Sequence, residues 1–265
     1  MGILNVTPDS FSDGGFFLEP QLAIGQALRM VDEGACIIDI GGESTRPGAE
    51  AISPDVQINR ITPVIESLRE HLPHGVLLSI DTSSAKVASA ALRSGVGLVN
   101  DVSAGTADPD MFGLVASYNV PLVIMHMLGN PLTMQINPAY LDVVGEVLDY
   151  LMERARVAEG DGVKKFNIII DPGIGFGKRK QDNLRLIADL KTFVDTGYPV
   201  LLGASRKRFM GSICNENTPS ELLGATIATT VLGVASGVKI FRVHDVKANR
   251  QAIAVASAIL NSRLL

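Results

Sequence analysis

Eight short apolar runs, each followed by a polar residue or glycine, are the feature that most limits how this chain can fold. The residues that follow them are Asn5, Asp39, Asp81, Asn100, His126, Asp171, Gly203 and Arg242. Each run is too short for a helix, and its β-branched residues are typical of a buried strand. The mean spacing is about 34 residues, close to the ~31 expected of a (β/α)8 barrel of ~250 residues.

Segments with helical periodicity lie between the runs. They predict helices over residues 20–33, 86–93, 139–159, 181–194, 220–235 and 245–264, with two more opening at Ser53 and Asp108. The chain of 265 residues fits one barrel, and the even spacing favours this over two smaller domains. We therefore predict an α/β fold, a single (β/α)8 TIM barrel domain over residues 1–265 that begins within strand 1. Its site is expected at the carboxyl ends of the strands.

Composition narrows the possible functions. A net charge of −5 argues against nucleic-acid binding, which favours a basic excess. The sequence contains neither an apolar stretch long enough for a membrane span nor a recognisable secretory signal. Its two cysteines form neither a disulfide framework nor a zinc-binding pattern. We expect a cytoplasmic protein that does not bind membranes.

Acidic and amide residues follow several strands on the predicted functional face. Asp81 follows strand 3, Asp171 follows strand 6, and Asn100 lies between them. A carboxylate in an apolar mouth needs a donor, because burying it without a partner is costly. The paired N–H groups of a pterin or guanine edge would provide such donors, much as arginine does. Asp101 and Asp245, by contrast, are expected to cap helices.

Basic residues cluster after strands 7 and 8. Lys207 lies in the sequence Ser-Arg-Lys-Arg over residues 205–208, while Arg242 and His244 are two residues apart and so share a face. This fold usually binds phosphate at the same place, which indicates an anionic substrate group. Asn5, a neutral oxygen ligand after strand 1, could take part in a magnesium site shared with phosphate oxygens.

Three long loops rich in glycine and proline, over residues 7–15, 43–52 and 172–180, are expected on the same face. Such loops often act as lids or determine specificity. The glycines between Gly173 and Gly177 lack the spacing and following helix of a dinucleotide site, so we interpret this segment as a flexible lid.

Seven segments together resemble the dihydropteroate synthases. They are residues 5–15, 41–48, 79–82, 100–101, 171–178, 205–207 and 242–245, and they occur in order along nearly the whole chain. The resemblance implies that 6-hydroxymethyl-7,8-dihydropterin diphosphate reacts with 4-aminobenzoate, releasing pyrophosphate and forming 7,8-dihydropteroate by an SN1-like route. It also implies Mg2+, a homodimer and a sulfonamide target.

The resemblance assigns roles to individual residues. The pterin would contact Asp81, Asn100, Met125, Asp171, Gly203 and Lys207, and the diphosphate would contact Asn5, Arg46, Arg242 and His244. The aminobenzoate would lie among Phe11, Thr45, Pro47, Phe176 and Lys207. Asn5 would be the metal ligand, and Asp13 would order the first loop around the metal. The catalytic residues implied are Asp81, Lys207, Arg242, His244 and Asp13.

The sequence departs from the family pattern at two positions. Arg208 replaces a common serine, so any hydroxyl contact to the aminobenzoate carboxylate is lost, while backbone N–H groups at a helix start could still bind it. Leu128 replaces a common basic residue. Two alternative functions remain at this stage. One is a methyltetrahydrofolate-binding corrinoid methyltransferase domain, and the other is a pterin-binding module without catalysis. Neither would release pyrophosphate.

Overall fold

The computed structural model describes residues 1–6, 19–43, 52–130 and 132–262. The eight predicted strands are all present. They are β1 Gly2–Asn5, β2 Ile37–Gly41, β3 Leu77–Asp81, β4 Leu98–Asp101, β5 Leu122–Met125, β6 Ile168–Asp171, β7 Leu201–Leu202 and β8 Ile240–Phe241. Each strand is short and largely buried, as its apolar content predicts.

All strand pairs are parallel and follow sequence order. Strands β1 to β6 form one sheet, and β7 pairs with β8. Isolated parallel bridges join the two sheets, from Ile170 to Val200 on one side and from Gly2 to Val243 on the other. These connections give the strand order of a (β/α)8 barrel, which confirms the predicted fold class.

Ten α-helices lie in the described residues. They are α1 Glu19–Asp32, α2 Pro54–His71, α3 Ala85–Arg93, α4 Met111–Tyr118, α5 Val143–Gly160, α6 Lys180–Ala188, α7 Leu190–Val194, α8 Arg208–Cys214, α9 Leu223–Ser236 and α10 Val246–Asn261. Ser53 caps α2 as predicted, since its hydroxyl accepts the N–H of Val56 at 3.4 Å. No helix among these is long and apolar enough to cross a membrane.

Two helix predictions were wrong in detail, and one helix was not predicted. The helix predicted over residues 181–194 is interrupted at Asp189, whose backbone leaves the helical region and separates α6 from α7. Helix α5 begins at Val143 rather than 139. The sequence analysis also missed α8, because its seven residues are too few to show a helical period.

Alternation along the strands decides which side chains reach the barrel mouth. Inside the barrel, Leu98, Val123, Ile169 and Leu201 pack together with Met1, Ile37, Leu77 and Ile240 at its edge. Side chains two residues apart on a strand share a face. Residues two positions after this inner layer therefore lie on the same face nearer the carboxyl end, and they include Asn100, Met125, Asp171, Gly203 and Arg242. The apolar residues of opposite parity pack outward against the helices.

Candidate active site

Arg242 lies at the centre of the polar cluster in the barrel mouth. Its Nε donates to Asp39 Oδ2 at 2.6 Å, and its Nη2 donates to Asp81 Oδ2 at 2.7 Å. The sequence analysis had described the acids and the basic residues as two separate groups, the acids after strands 3 and 6 and the basic residues after strands 7 and 8. The structure corrects this, because the guanidinium after β8 bridges the carboxylates of β2 and β3 directly.

Asp39 is the residue of this cluster to which the sequence analysis gave no role. It is fully buried, and it also accepts hydrogen bonds from Ser79 Oγ at 2.6 Å and Asn100 Nδ2 at 3.0 Å. Its position two residues after Ile37 was the available signal, since the same alternation brings Arg242 to the mouth. Asp39 lies inside β2 rather than at its carboxyl end, and its partners come from β3, β4 and the residue after β8, so its place after an apolar run did not indicate its role.

Asp81 keeps one oxygen available. Its Oδ1 is buried and has no hydrogen-bond partner among the described residues, whereas Oδ2 is held by Arg242. Burial raises the pKa of Asp81 above its usual range; Arg242 opposes this rise, and the nearby Asp39 adds to it. Two buried carboxylates thus share one guanidinium. An unpartnered buried oxygen is costly, so this atom is a strong candidate to accept an N–H group of a ligand.

Asp171 lies on the other side of the mouth beside Lys207. Its Oδ1 accepts the N–H of Gly173 at 2.7 Å, and burial raises its pKa to about 6. Gly203 faces Oδ2, from which an added Cβ would lie 3.5 Å away. Met125 is buried and would lie 3.1 Å from a Cβ added to Gly173. These residues leave space beside the carboxylate and line it with an apolar side chain.

Lys207 extends toward Phe176. Its Nζ lies 4.1 Å from the centre of the phenyl ring, a cation–π arrangement. Burial lowers the pKa of Lys207 to about 8, and the neighbouring Arg242 also lowers it, while Asp171 and Asp81 raise it. Lys207 therefore lies beside an aromatic ring and close enough to both acids for their charges to act on it.

His244 pairs with Ser205, its Nδ1 lying 2.9 Å from Ser205 Oγ. Burial lowers the pKa of His244 to about 4, and the positive charges of Arg206 and Arg242 contribute to this shift. The imidazole is thus neutral near pH 7. It can donate a hydrogen bond to an anion but does not add a positive charge.

The remaining charged residues after β7 and β8 have other contacts. Arg206 donates to both carboxylate oxygens of Asp245, at 2.9 and 2.6 Å. Asp245 was expected to cap α10, but its side chain makes no capping hydrogen bond there because it is bound to Arg206. Asp101, the last residue of β4, accepts the N–H groups of Ser103 and Gly105, so its side chain caps the turn after β4 rather than a helix.

Side-chain hydrogen bonds hold the backbone of the loop after β6. Lys178 is only 3% exposed, and its Nζ contacts the carbonyls of His126, Gly173 and Phe176 at 3.2, 2.9 and 3.0 Å. The same Nζ lies 2.9 Å from His126 Nδ1. Further bonds to this loop come from Gln135, Tyr140 and Asn183. The interpretation of residues 173–177 as a flexible lid was therefore wrong, because four side chains fix its backbone.

Asn5 offers a single oxygen ligand near the acids. Its Oδ1 would lie 3.4 Å from a Cβ added to Gly41, and the Cβ of Asp81 would lie 3.8 Å from the same point. No group of three His, Cys, Asp or Glu side chains suited to a metal occurs in the described part of the chain. Magnesium commonly binds one or two protein oxygens together with phosphate oxygens and water. Asn5 fits that pattern, in which the substrate provides most ligands.

The geometry agrees with the chain's similarity to known proteins. A family model described as a pterin binding enzyme matches residues 1–244. The dihydropteroate synthase of Synechocystis sp. is 45% identical over 259 residues, covering 98% of this chain and 89% of that protein. The chain belongs to the dihydropteroate synthase family.

Solved dihydropteroate synthases share its architecture. The Xanthomonas albilineans enzyme with 4-aminobenzoic acid is 43% identical, with a TM-score of 0.92 over 98% of this chain and 92% of that one. The same organism's enzyme in complex with 7,8-dihydropteroate is 40% identical, with a TM-score of 0.88 and the same coverage. This likeness confirms the predicted barrel and family.

Some residues that the dihydropteroate synthase resemblance assigned cannot be placed. Phe11, Asp13, Thr45, Arg46 and Pro47 lie outside the described residues. The two departures from the family pattern, Arg208 at the start of α8 and Leu128 after β5, are both exposed. The other assigned residues surround one barrel mouth.

Proposed function

We propose that this chain catalyses dihydropteroate synthesis from 6-hydroxymethyl-7,8-dihydropterin diphosphate and 4-aminobenzoate. The observation that carries the proposal is the buried Oδ1 of Asp81, which has no hydrogen-bond partner within the described part of the chain and lies in the same mouth as Arg242 and Lys207. One surface then offers acceptors for a flat heterocycle and donors for an anion. Such a site could perform more than one reaction, and the family membership supports this one.

The acids and amide would bind the pterin. Asp81 Oδ1 is available to accept an N–H of its 2-amino edge, and Asp171 and Asn100 lie around the same mouth. Gly203 leaves room beside Asp171 for the ring, while Met125 lines the pocket. A ligand N–H that donates to Asp81 Oδ1 would offset the cost of burying this oxygen.

The hydrogen-bond donors after β8 would bind the diphosphate, which is the leaving group. The side chain of Arg242 is 20% exposed despite its two acid partners, so part of the guanidinium reaches the mouth. His244 would donate a hydrogen bond, and Arg46 is the further cation that the resemblance implies. Asn5 would hold Mg2+, which when bound would offset negative charge on the diphosphate. Donors of this kind commonly contribute about 3–4 kcal/mol each to transition-state stabilisation.

The reaction would begin at the bond between the pterin methylene carbon and the diphosphate oxygen. Pyrophosphate leaves with the bonding electron pair, and the amine nitrogen of 4-aminobenzoate then donates its lone pair to the carbon. The nitrogen finally loses a proton to give neutral dihydropteroate. Asp81 would stabilise the positive pterin, and the chain needs no covalent nucleophile. Ser205 and His244 do not form a hydrolase triad, since Asp245 binds Arg206 instead of the imidazole.

The aminobenzoate would pack against Phe176 and the side chain of Lys207, whose ring centre and ammonium group lie 4.1 Å apart. Phe11, Thr45 and Pro47 would complete this pocket. Sulfonamides resemble 4-aminobenzoate in shape and would compete for the same place. We also propose a homodimer and a cytoplasmic location, in line with the family resemblance.

The direct test is to mix the protein with both substrates and Mg2+ and to measure pyrophosphate and dihydropteroate. Equal amounts of both products are expected with both substrates present, and omission of 4-aminobenzoate should abolish dihydropteroate formation. Arg242→Ala and Lys207→Ala should lose most activity while circular dichroism shows a folded barrel. Methyl transfer from methyltetrahydrofolate to a corrinoid, or pterin binding without products, would overturn the proposal in favour of one of the alternatives.

A further inference from the structure

Asp39 contacts more of the site than any role assigned so far requires. Its carboxylate accepts three side-chain hydrogen bonds, from Ser79, Asn100 and Arg242, at 2.6, 3.0 and 2.6 Å. Asn100 and Arg242 belong to different halves of the proposed site, one to the pterin and one to the diphosphate. A single buried carboxylate thus touches both.

Each of these contacts restricts the direction of a side chain. The bond from Asn100 Nδ2 orients the amide, which leaves Oδ1 as its remaining acceptor. The bond from Arg242 Nε fixes the guanidinium plane while Nη2 binds Asp81. Both donors share Oδ2 of Asp39, whereas Ser79 binds Oδ1. Loss of Oδ2 as an acceptor would therefore free both functional side chains at once.

We propose that Asp39 is a positioning residue that aims Asn100 at the pterin and Arg242 at the diphosphate. The inference rests on the proposed dihydropteroate synthesis. Asp39 has no exposed surface, so it acts through its two partners and does not touch substrate. A purely structural role would contribute to folding but leave the kinetic constants of the folded enzyme unchanged.

Asp39→Asn is the discriminating variant. The asparagine amide keeps the size of the carboxylate but has only one oxygen that accepts hydrogen bonds. Its NH2 group is a donor, so it repels the donors that bind one of the two carboxylate oxygens of Asp39. We expect the affinity for 6-hydroxymethyl-7,8-dihydropterin, measured by calorimetry without diphosphate, to fall about 10-fold. We expect kcat/KM for the pterin diphosphate to fall about 100-fold, the effect typical of a small misplacement in an active site.

Two control variants separate positioning from folding. Ser79→Ala removes a donor from the same carboxylate but leaves Arg242 and Asn100 bound to it. Asp101→Asn alters a carboxylate on β4 that is as buried as that of Asp39 and accepts its hydrogen bonds from Ser103 and Gly105. Both controls should lower the melting temperature and keep the KM for each substrate within about twofold of wild type, which is ordinary for positions without contact to the substrate.

Double-mutant cycles test whether Asp39 acts through Asn100 and Arg242. If Asp39 acts through Asn100, then adding Asn100→Ala to Asp39→Asn should reduce pterin affinity no further than Asn100→Ala alone. The corresponding cycle with Arg242→Ala should be non-additive in kcat. If Asp39→Asn does not fold, Asp39→Ser, which leaves space for a water molecule, is taken through the same assays.

The inference would be overturned if a folded Asp39 variant matched Ser79→Ala, losing stability while keeping wild-type pterin affinity and kcat/KM. Additive cycles would also overturn it. Failure of the proposed function looks different, because the wild-type protein itself would then make no dihydropteroate. Pterin affinity, which needs no turnover, would still report whether Asp39 orients Asn100.

Discussion

Ser205 orients the ring of His244 through two hydrogen bonds. Its Oγ accepts the backbone N–H of His244 at 3.3 Å and lies 2.9 Å from Nδ1. Burial lowers the pKa of His244 to about 4, so the ring is neutral near pH 7 and carries one hydrogen; when the Ser205 hydroxyl donates to Nδ1, that hydrogen lies on Nε2. His244 therefore presents one neutral N–H donor of defined direction.

Ser205→Ala should remove this orientation without removing the imidazole. We expect kcat/KM for the pterin diphosphate to fall about 10-fold, the usual effect of losing a group that orients a functional histidine. The KM for 4-aminobenzoate should not change. Ser212→Ala is the matched control, since its hydroxyl binds only the carbonyl of Phe209 within α8. Equal kinetics in the two variants would show that Ser205 has no orienting role.

Arg242→Ala should destabilise the protein as well as inactivate it. The variant leaves Asp39 and Asp81 buried without their shared cation, and such a loss typically costs about 3–5 kcal/mol. Without Arg242, the pKa of Asp81 in the folded state should rise further above its unfolded value. The stability that this group contributes is then present at low pH and lost as pH rises. The deficit in unfolding free energy should be larger at pH 8 than at pH 5.

Urea denaturation at both pH values measures this difference. Adding Asp81→Asn to Arg242→Ala should recover part of the stability at pH 8, because it removes one of the uncompensated charges, but it should not recover activity. Arg206→Ala is a useful comparison, since it breaks a more exposed pair with Asp245. A deficit for Arg242→Ala that is the same at both pH values would argue against the uncompensated acids as its cause.

The rate should depend on pH through Asp171 and Lys207. Burial raises the pKa of Asp171 to about 6 and lowers that of Lys207 to about 8. If the carboxylate must be ionised and the ammonium protonated, kcat/KM rises with pH through about 6 and falls above about 8. In Lys207→Arg the fall above pH 8 should disappear, even at lower activity, because a guanidinium stays charged. Persistence of the same basic limb would assign it to another group.

Lys178→Met should weaken binding of 4-aminobenzoate more than binding of the pterin. The substitution removes the ammonium that holds the carbonyls of Gly173 and Phe176, so the ring of Phe176 loses its fixed place beside Lys207. We expect the KM for aminobenzoate to rise about 10-fold, as expected when a positioning group is lost, together with a lower melting temperature. Lys180→Met, two residues away on an exposed position, is the control and should leave both quantities unchanged.

The periodicity of the chain was sufficient to predict the barrel and many of the side chains at its mouth. Short β-branched runs can be buried only as strands, and their spacing leaves room for one helix each. Alternation along each strand then brings Asp81, Asn100, Asp171 and Arg242 to one face. The break at Asp189 and the short helix α8 escaped notice, because seven or nine residues carry too little periodic signal.

Tertiary contacts decided which side chains pair with one another in the barrel mouth. Arg242 and Asp39 are 203 positions apart, and nothing local to either residue indicates that they pair at 2.6 Å. The neutral state of His244 and the fastened loop around Lys178 likewise depend on burial and on partners from distant strands. Sequence determines which side chains can reach this face, because strand geometry is local and repetitive. The partners and ionisation of those side chains follow only from the folded chain, since they depend on distances and desolvation that no local pattern encodes.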